Sequence, residues 1–374
     1  MDVRFVGSAR EAAAVLSTPR PRRFRIIYLE ITNACNFTCD YCPIDQQTRK
    51  KIVMPKAFAE SIIDQIVAHD LTDYITFHLM GEPYLHKDLA HLTRYAEDRG
   101  IKVRLLTNGS LLEPARNRAL FDAGLSHLEI GFRTPNDSSF NKRLRGGHLT
   151  LDEYVSRVKQ LLEDKVRLGA ATEVSLKFFI RSRAAELKLA EPYEHLTSLD
   201  DNLTMARTFR DHVLEISRSA GGPTEEWAKV PLRVVNGSYA IYPGVMLNWS
   251  RIQDFWVREQ RGQTKGYGAV VCGCTAGFRH NFGILASGEV TTCCVDYDGK
   301  NIVGDLRTHS LMDVLQSKEA ERVKLSLERF RPPTAFCSEC KGGPTMTSSL
   351  LKQVGTVAND IRQRLAPTKR IRSL

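Results

Sequence analysis

Three cysteines, Cys35, Cys39 and Cys42, stand within ITNACNFTCDYCPI at 31–44, directly after an apolar, strand-like run. Thiolate is the usual ligand of cubane iron–sulfur clusters, and three on one loop would hold three irons while the fourth stays open to an outside ligand. A structural zinc site is instead closed by a fourth protein ligand, usually near in sequence. The next histidine downstream is His69, on a segment with helical periodicity, so zinc is the competing reading rather than the leading one. None of the nine cysteines falls between Cys42 and Cys272; the others are Cys272, Cys274, Cys293, Cys294, Cys337 and Cys340. Cysteines used as small core hydrophobes would be scattered. The odd count and the close pairs 272/274 and 293/294 fit poorly with a disulfide framework. Metal or redox chemistry is what remains. In the second set, C-x-C or C-C combined with C-x2-C suits a zinc tetrahedron as well as an iron–sulfur cluster, and the residues alone leave both open.

Parallel α/β sheets build their sites beyond the carboxyl ends of their strands, where the first cysteine loop sits. Apolar, β-branched runs at 25–32, 74–80, 102–107, 127–132, 173–180 and 212–217 predict six strands. Between them, PKAFAESIIDQIVAHD places Phe58, Ile62, Ile63 and Ile66 on one helical stripe. HKDLAHLTRYAEDRG closes on Gly100, a helix stop. TLDEYVSRVKQLLEDK opens with Thr150 and, three residues on, Glu153, a capping box. Six βα units predict a parallel sheet with outer helices, short of the eight of a complete barrel; the fifth connection, 181–211, is long. Beyond it SAGGPTEEW reads as a linker, followed by short strands, glycine turns, one helix at 309–325 and a last amphipathic helix in TSSLLKQVGTVANDIRQRLA. The division expected is an N-terminal extension (1–24), a βα domain (25–220), a linker with a cysteine-rich domain (221–345), and a C-terminal helix with a basic tail (346–374).

At 374 residues and 42% hydrophobic content the chain can bury one large core, or a large and a smaller one. Its apolar runs are strand-sized, well short of the roughly 20 residues that cross a bilayer. The first residues lack the apolar core of a signal peptide, so a cytoplasmic protein is expected. Net charge is +10, with clusters RPRRFR (20–25) and PTKRIRSL (367–374). Phosphates reward such charge, but no aromatic residues interleave with it as in RNA-binding modules. A solvated surface and a basic tail are expected rather than a nucleic-acid site.

The spacing C-x3-C-x2-C, with Tyr41 before the last cysteine, resembles the radical S-adenosylmethionine (SAM) enzymes. GEPYLHKDL (81–89) resembles the family's second-strand motif and LLTNGSLL (105–112) its third-strand motif. DSSFNKRLRGG (137–147) is similar to the segment after the fourth strand. The later order C…G-x4-C…C-x2-C, with Gly288 five positions before Cys293, resembles the SPASM domain in its shortened form, Twitch, which holds a single cluster. CCVDYDGKNIVGDL and SLMDVLQS add to that likeness. The fold implied is a partial (β/α)6 radical SAM barrel with a small C-terminal cysteine-rich Twitch/SPASM-like domain.

The resemblance also implies cofactors and roles. Cys35, Cys39 and Cys42 hold a 4Fe–4S cluster whose open iron binds the amino nitrogen and carboxylate of SAM. One electron, from a reductant such as flavodoxin or ferredoxin, cleaves the sulfonium C–S bond. The resulting 5′-deoxyadenosyl radical abstracts hydrogen from an unactivated C–H bond. The hard chemistry is the cofactors', while the protein binds, orients and excludes water. An auxiliary 4Fe–4S cluster falls to Cys274, Cys293, Cys337 and Cys340, with Cys272 and Cys294 as substitutes. For SAM the implied contacts are Tyr41 beside the adenine, Gly81, Glu82 and Pro83 after the second strand, and Asn108 after the third. Many relatives carry Ser-x-Asp after the fourth strand, where this chain has Gly131 and Arg133. SAM's ribose or carboxylate would then fall to Arg133, or to Arg181 after the fifth strand.

An auxiliary cluster suits oxidation of a carbon radical, such as a sugar or cyclitol alcohol passing to a ketone. Related epimerases instead return hydrogen from a cysteine, a part open to Cys272 or Cys294. Glu129, Arg133, Tyr84 and Glu215 are further polar residues expected near sheet ends. The alternatives are a maturase that crosslinks a peptide, for which the roughly 24 residues before the first strand give little room for a leader-binding domain, and a non-enzymatic module stapled by zinc.

Overall fold

The computed structural model describes residues 23–143, 149–181, 186, 198–252, 255, 266–274 and 277–365. Most of the expected N-terminal extension and the basic tail lie outside them. Ten strands form one sheet in the order β10-β9-β8-β1-β2-β3-β4-β5-β7-β6. They are β1 (Ile26–Leu29), β2 (Tyr74–Thr76), β3 (Lys102–Thr107), β4 (His127–Ile130), β5 (Glu173–Ile180), β6 (Gly237–Tyr242), β7 (Val245–Arg251), β8 (Asn281–Ile284), β9 (Glu289–Thr291) and β10 (Ile302–Asp305). The central run β8-β1-β2-β3-β4-β5-β7 is parallel throughout, with registers such as Leu29↔Ile284, Ile75↔Val103 and Leu106↔Glu129. β6 closes one edge antiparallel to β7, and β9 and β10 extend the other antiparallel from β8.

The crossover helices follow the expected pattern. They are α1 (Lys56–Ala68), α2 (Leu89–Glu97), α3 (Pro114–Asp122), α4 (Asp137–Asn141), α5 (Leu151–Leu168) and α6 (Leu199–Ser219). The α1 stripe buries Ile62, Ile63 and Ile66 completely, and α5 opens on the Thr150–Glu153 capping box. After β5 the expectation changes. The run at 212–217, read as a sixth strand, lies inside α6. Val213, Leu214, Ile216 and Ser217 are its buried positions, and a 3.6-residue stripe with two adjacent apolar pairs imitates a short strand. The parallel strand next to β5 is β7, reached through α6, the short α7 (Glu225–Ala228) and the β6 hairpin. Glu215 is accordingly exposed on α6 rather than at a sheet end.

The cysteine-rich part is continuous with the same sheet. β8 hydrogen-bonds along the whole of β1, and Gly288, at φ +97°, makes the β8–β9 turn. The single helix expected at 309–325 is two, α8 (Leu311–Leu315) and α9 (Lys318–Glu328), each opened by its own serine cap, Ser310 and Ser317. α10 (Ala335–Lys341) carries the last two cysteines, and α11 (Met346–Leu365) follows. A second apolar cluster of Ile44, Leu79, Met80, Leu285, Cys293, Val295, Tyr297 and Phe336 packs between the two cysteine sets. No helix among the described residues is long and apolar enough to cross a membrane.

Candidate functional site

β1 delivers the chain to the C-terminal edge of the sheet, and the cysteine loop begins there. The loop is pinned at several points. The Asn33 amide donates to Gln47 Oε1 (2.7 Å) and the Lys50 carbonyl (2.9 Å), and its Oδ1 accepts from the Ile52 amide (2.7 Å). Thr38 N–H donates to the Arg143 carbonyl at 3.0 Å. Gly81 must be glycine: a Cβ there would stand 2.3 Å from the Thr32 carbonyl and 2.8 Å from that of Ala34, and φ is +81°. This close approach lets Glu82 N–H donate to Ala34 O at 2.8 Å, locking the turn after β2 to the loop.

Cys35, Cys39 and Cys42 line one cavity of about 250 Å³ with Tyr41, Gly81, Glu82, Asn108, Gly131 and Arg133. Burial, then the Glu82 carboxylate, pushes the Cys35 thiol up to about 12. Burial and the neighbouring Cys39 and Cys35 raise Cys42 likewise. Thiols so placed ionise readily only beside a metal, which is the behaviour of cluster ligands. All nine cysteines are described and none is in a disulfide. Among the described residues no three His, Cys, Asp or Glu side chains converge to hold a single metal ion. A zinc tetrahedron requires that convergence, whereas a cubane spreads its thiolates over different irons. Three thiols around one cavity fit a cluster that leaves one iron open.

Glu82, 1% exposed, accepts from Thr107 Oγ1 (2.7 Å) and from the amides of Asn108 (2.6 Å) and Tyr84 (3.0 Å). Burial raises its pKa and these bonds oppose the rise. Asn108 Nδ2 faces Cys35 Sγ at 3.7 Å. Pro83 and Tyr84 are buried outside the cavity, Tyr84 with its hydroxyl on Asn117, and Arg181 is exposed. Tyr28, Arg143, His78 and Lys177, which the sequence did not single out, also line the cavity. Arg143, 2% exposed, stacks over Phe37 at 4.7 Å, donates to Thr134 Oγ1 at 3.0 Å and bonds the Cys39 side chain. His78 and Lys177 lie in the barrel lumen, His78 bound through Nδ1 to Thr76 Oγ1 at 2.7 Å.

The lumen below the cysteines is polar. Glu129 accepts from Lys177 Nζ and Asn248 Nδ2, both at 2.8 Å, tying β4, β5 and β7 together. Burial alone would raise the Glu129 carboxyl, but Lys177, His127 and Arg104 together outweigh it and hold the group at about 2. Burial, aided by Lys177, Arg133 and Arg104 and opposed by Glu129, lowers His78 to about 3, so its ring is neutral. The signals in the sequence were single polar residues inside apolar strands, as Lys177 in EVSLKFFI, and an arginine in DSSFNKRLRGG.

In the second set Cys293 and Cys337 each interact with Cys274 and Cys340. Burial opposes charge on Lys341, yet Cys274, Cys340, Cys272 and Cys293 together hold its ammonium above the usual lysine range. Cys337 and Cys340 share one face of α10, whose cap Thr334 accepts from Cys337 N–H at 3.2 Å. Cys272 is buried against Cys274. Cys294 lies between the two sets: its thiol meets that of Cys293, bonds the Tyr28 hydroxyl and lines the first cavity. The interactions of Cys293 and Cys337 with Cys274 and Cys340, beside Lys341, suit the ligand set of a fully ligated cluster.

A model of the radical SAM superfamily matches residues 29–170, and one of the SPASM iron–sulfur cluster-binding domain matches 274–341. An S-adenosylmethionine-dependent nucleotide dehydratase of Selenomonas ruminantium is 37% identical over 86 residues, 23% of this chain and 30% of that one. A 2-deoxy-scyllo-inosamine dehydrogenase of Niallia circulans, also S-adenosyl-L-methionine-dependent, is 31% identical over 110 residues, 29% of this chain and 44% of its own. A PqqA peptide cyclase of Methylocella silvestris is 22% identical over 315 residues, 82% and 78% of the two chains. The chain thus spans less than half the length of the first two relatives.

Proposed function

The chain belongs to the radical SAM superfamily and carries a C-terminal SPASM domain, its cofactors being SAM and 4Fe–4S clusters; from that premise we propose that it abstracts hydrogen from a small polar molecule seated in the barrel lumen, oxidising or epimerising an alcohol carbon of a sugar or cyclitol. When bound, the first cluster and SAM supply a radical able to take hydrogen from an unactivated C–H bond. Cys35, Cys39 and Cys42 would hold that cluster, and Cys274, Cys293, Cys337 and Cys340 the auxiliary one. Tyr41, Gly81, Glu82, Asn108 and Gly131 would surround SAM. The observation that carries the substrate class is the lumen itself. Tyr28, His78, Lys177 and Cys294 line the same cavity as the three cysteines, offering hydrogen bonds to a hydroxylated molecule where a packed barrel would offer only apolar side chains.

Cys294 separates the two outcomes. Its thiol borders the cavity beside Tyr28, the position from which a hydrogen atom could be returned to a substrate carbon. Incubating reduced enzyme with deuterated sugars, cyclitols and short peptides tests the reading. Deuterium in 5′-deoxyadenosine from a sugar or cyclitol supports it, and label from peptides alone refutes it. With an active substrate, solvent deuterium entering the product in wild type but not in Cys294→Ala identifies epimerisation.

A further inference from the structure

Arg133, Arg143 and Lys177 are the cations that line the cavity, and Arg143 is committed to Thr134 and Cys39. Lys177 lines the cavity and is paired with Glu129, whose second oxygen is taken by Asn248. Arg133 lines it too, its guanidinium lying over Phe179 at 4.9 Å and Tyr41 at 5.6 Å. Among the described residues Arg133 forms no salt bridge, and its buried Nε has no hydrogen-bond partner. The charges of Arg133 and Arg104 weigh against that of Lys177, beyond the cost of its burial. Glu82 belongs to the opposite wall, held by Thr107, Asn108 and Tyr84 and influenced by Arg143. Like charges gathered in a poorly hydrated site are unfavourable unless an anion completes them.

We propose that Arg133 and Lys177 form an oxyanion subsite for the substrate, so that the molecule seated in the lumen carries a phosphate or carboxylate. The subsite rests on the proposed function and narrows its substrate class. Arginine supplies a planar fork for two oxygens, and lysine a compact point charge. Glu129 and Asn248 are positioning residues: by fixing the Lys177 ammonium across three strands they keep it aimed at the cavity. Tyr28 and His78 then remain as neutral partners for the hydroxyl groups.

The test is equilibrium binding to the anaerobically reconstituted full chain saturated with SAM. Glucose 6-phosphate and glucuronate are compared with glucose, and inorganic phosphate serves as competitor. The anionic sugars should bind at least tenfold more tightly than glucose, and phosphate should displace them. Lys177→Met combined with Glu129→Gln, which leaves no unpaired charge, should remove the preference while changing the affinity for SAM less than twofold. Lys177→Arg should retain it. Equal binding of neutral and anionic sugars overturns the subsite, as does a Lys177 variant that loses SAM affinity in step with sugar affinity, since the anion held would then be SAM's own carboxylate. Failure of the wild-type protein to bind SAM at all would instead overturn the proposed function on which the subsite rests.

Discussion

Replacing Arg49 by methionine should destabilise the protein and separate its two cysteine regions. Glu30, completely buried, receives both Arg49 guanidinium nitrogens, at 2.7 and 2.9 Å. Its oxygens also accept the Met80 amide at 3.1 Å, after β2, and the Ala286 amide at 3.0 Å, in the β8–β9 turn. Arg49 Nε reaches the Tyr297 carbonyl at 3.1 Å, three residues beyond Cys294. One ion pair thus joins the end of the first cysteine loop to the second cysteine region. Methionine fills similar volume but leaves the carboxylate buried with two backbone donors and no cation. Removing one member of such a pair costs about 3–5 kcal/mol. Arg49→Lys keeps the charge and loses the two-pronged geometry, so its cost should be intermediate. Urea unfolding of the reconstituted protein, followed by tryptophan fluorescence and by iron absorption, reads both. If Arg49→Met unfolds at the same urea concentration as Arg49→Lys, the uncompensated charge is not what the arginine prevents, and the reasoning fails.

Other substitutions address single elements. Cys35, Cys39 and Cys42 changed together to alanine should lower bound iron from about eight atoms per chain to about four, measured on anaerobically purified protein. Gly81→Ala should cost the same four irons without touching a cysteine, because its Cβ would displace the Thr32 carbonyl; full iron content would contradict the close approach. Glu129 has its folded pKa depressed to about 2 from 4.5, so its contribution to stability is complete above the unfolded value and fades as pH falls through the folded one. Glu129→Gln should flatten this acid limb in melting temperature measured from neutral pH down to pH 2, and an unchanged slope would show the carboxylate is not ionised against Lys177. Arg143→Met should shift the first cluster's midpoint potential to more negative values, since a cation beside Cys39 stabilises the reduced state; an unmoved potential would refute that influence.

The parallel core of the fold was legible because βα units write two clear periods into the sequence. Five of the six expected strands lie where the apolar runs placed them, and the Thr150–Glu153 and Gly100 signals mark true helix ends. The miss at 212–217 came from a helix whose buried stripe holds adjacent apolar residues, while β7 interrupts its apolar residues with Asn248 and Ser250, a pattern that marks a core strand only weakly. The cysteine loop was legible because thiolate chemistry needs particular residues at short spacing. The lumen was not. Lys177, Asn248 and Glu129 lie on three separate strands and meet only through register, information that no local pattern carries. The fusion of the cysteine-rich region to β1 was hidden for the same reason, because the β1–β8 pairing joins segments about 250 residues apart.

The proposed chemistry turns on the coordination of the first cluster. Electron–nuclear double resonance on the reduced protein mixed with SAM labelled with nitrogen-15 in its amino group measures that directly. A three-thiolate site predicts a nitrogen hyperfine coupling that appears with SAM and vanishes in Cys39→Ala. A reduced cluster whose spectrum is identical with and without SAM, showing no such coupling, would contradict it.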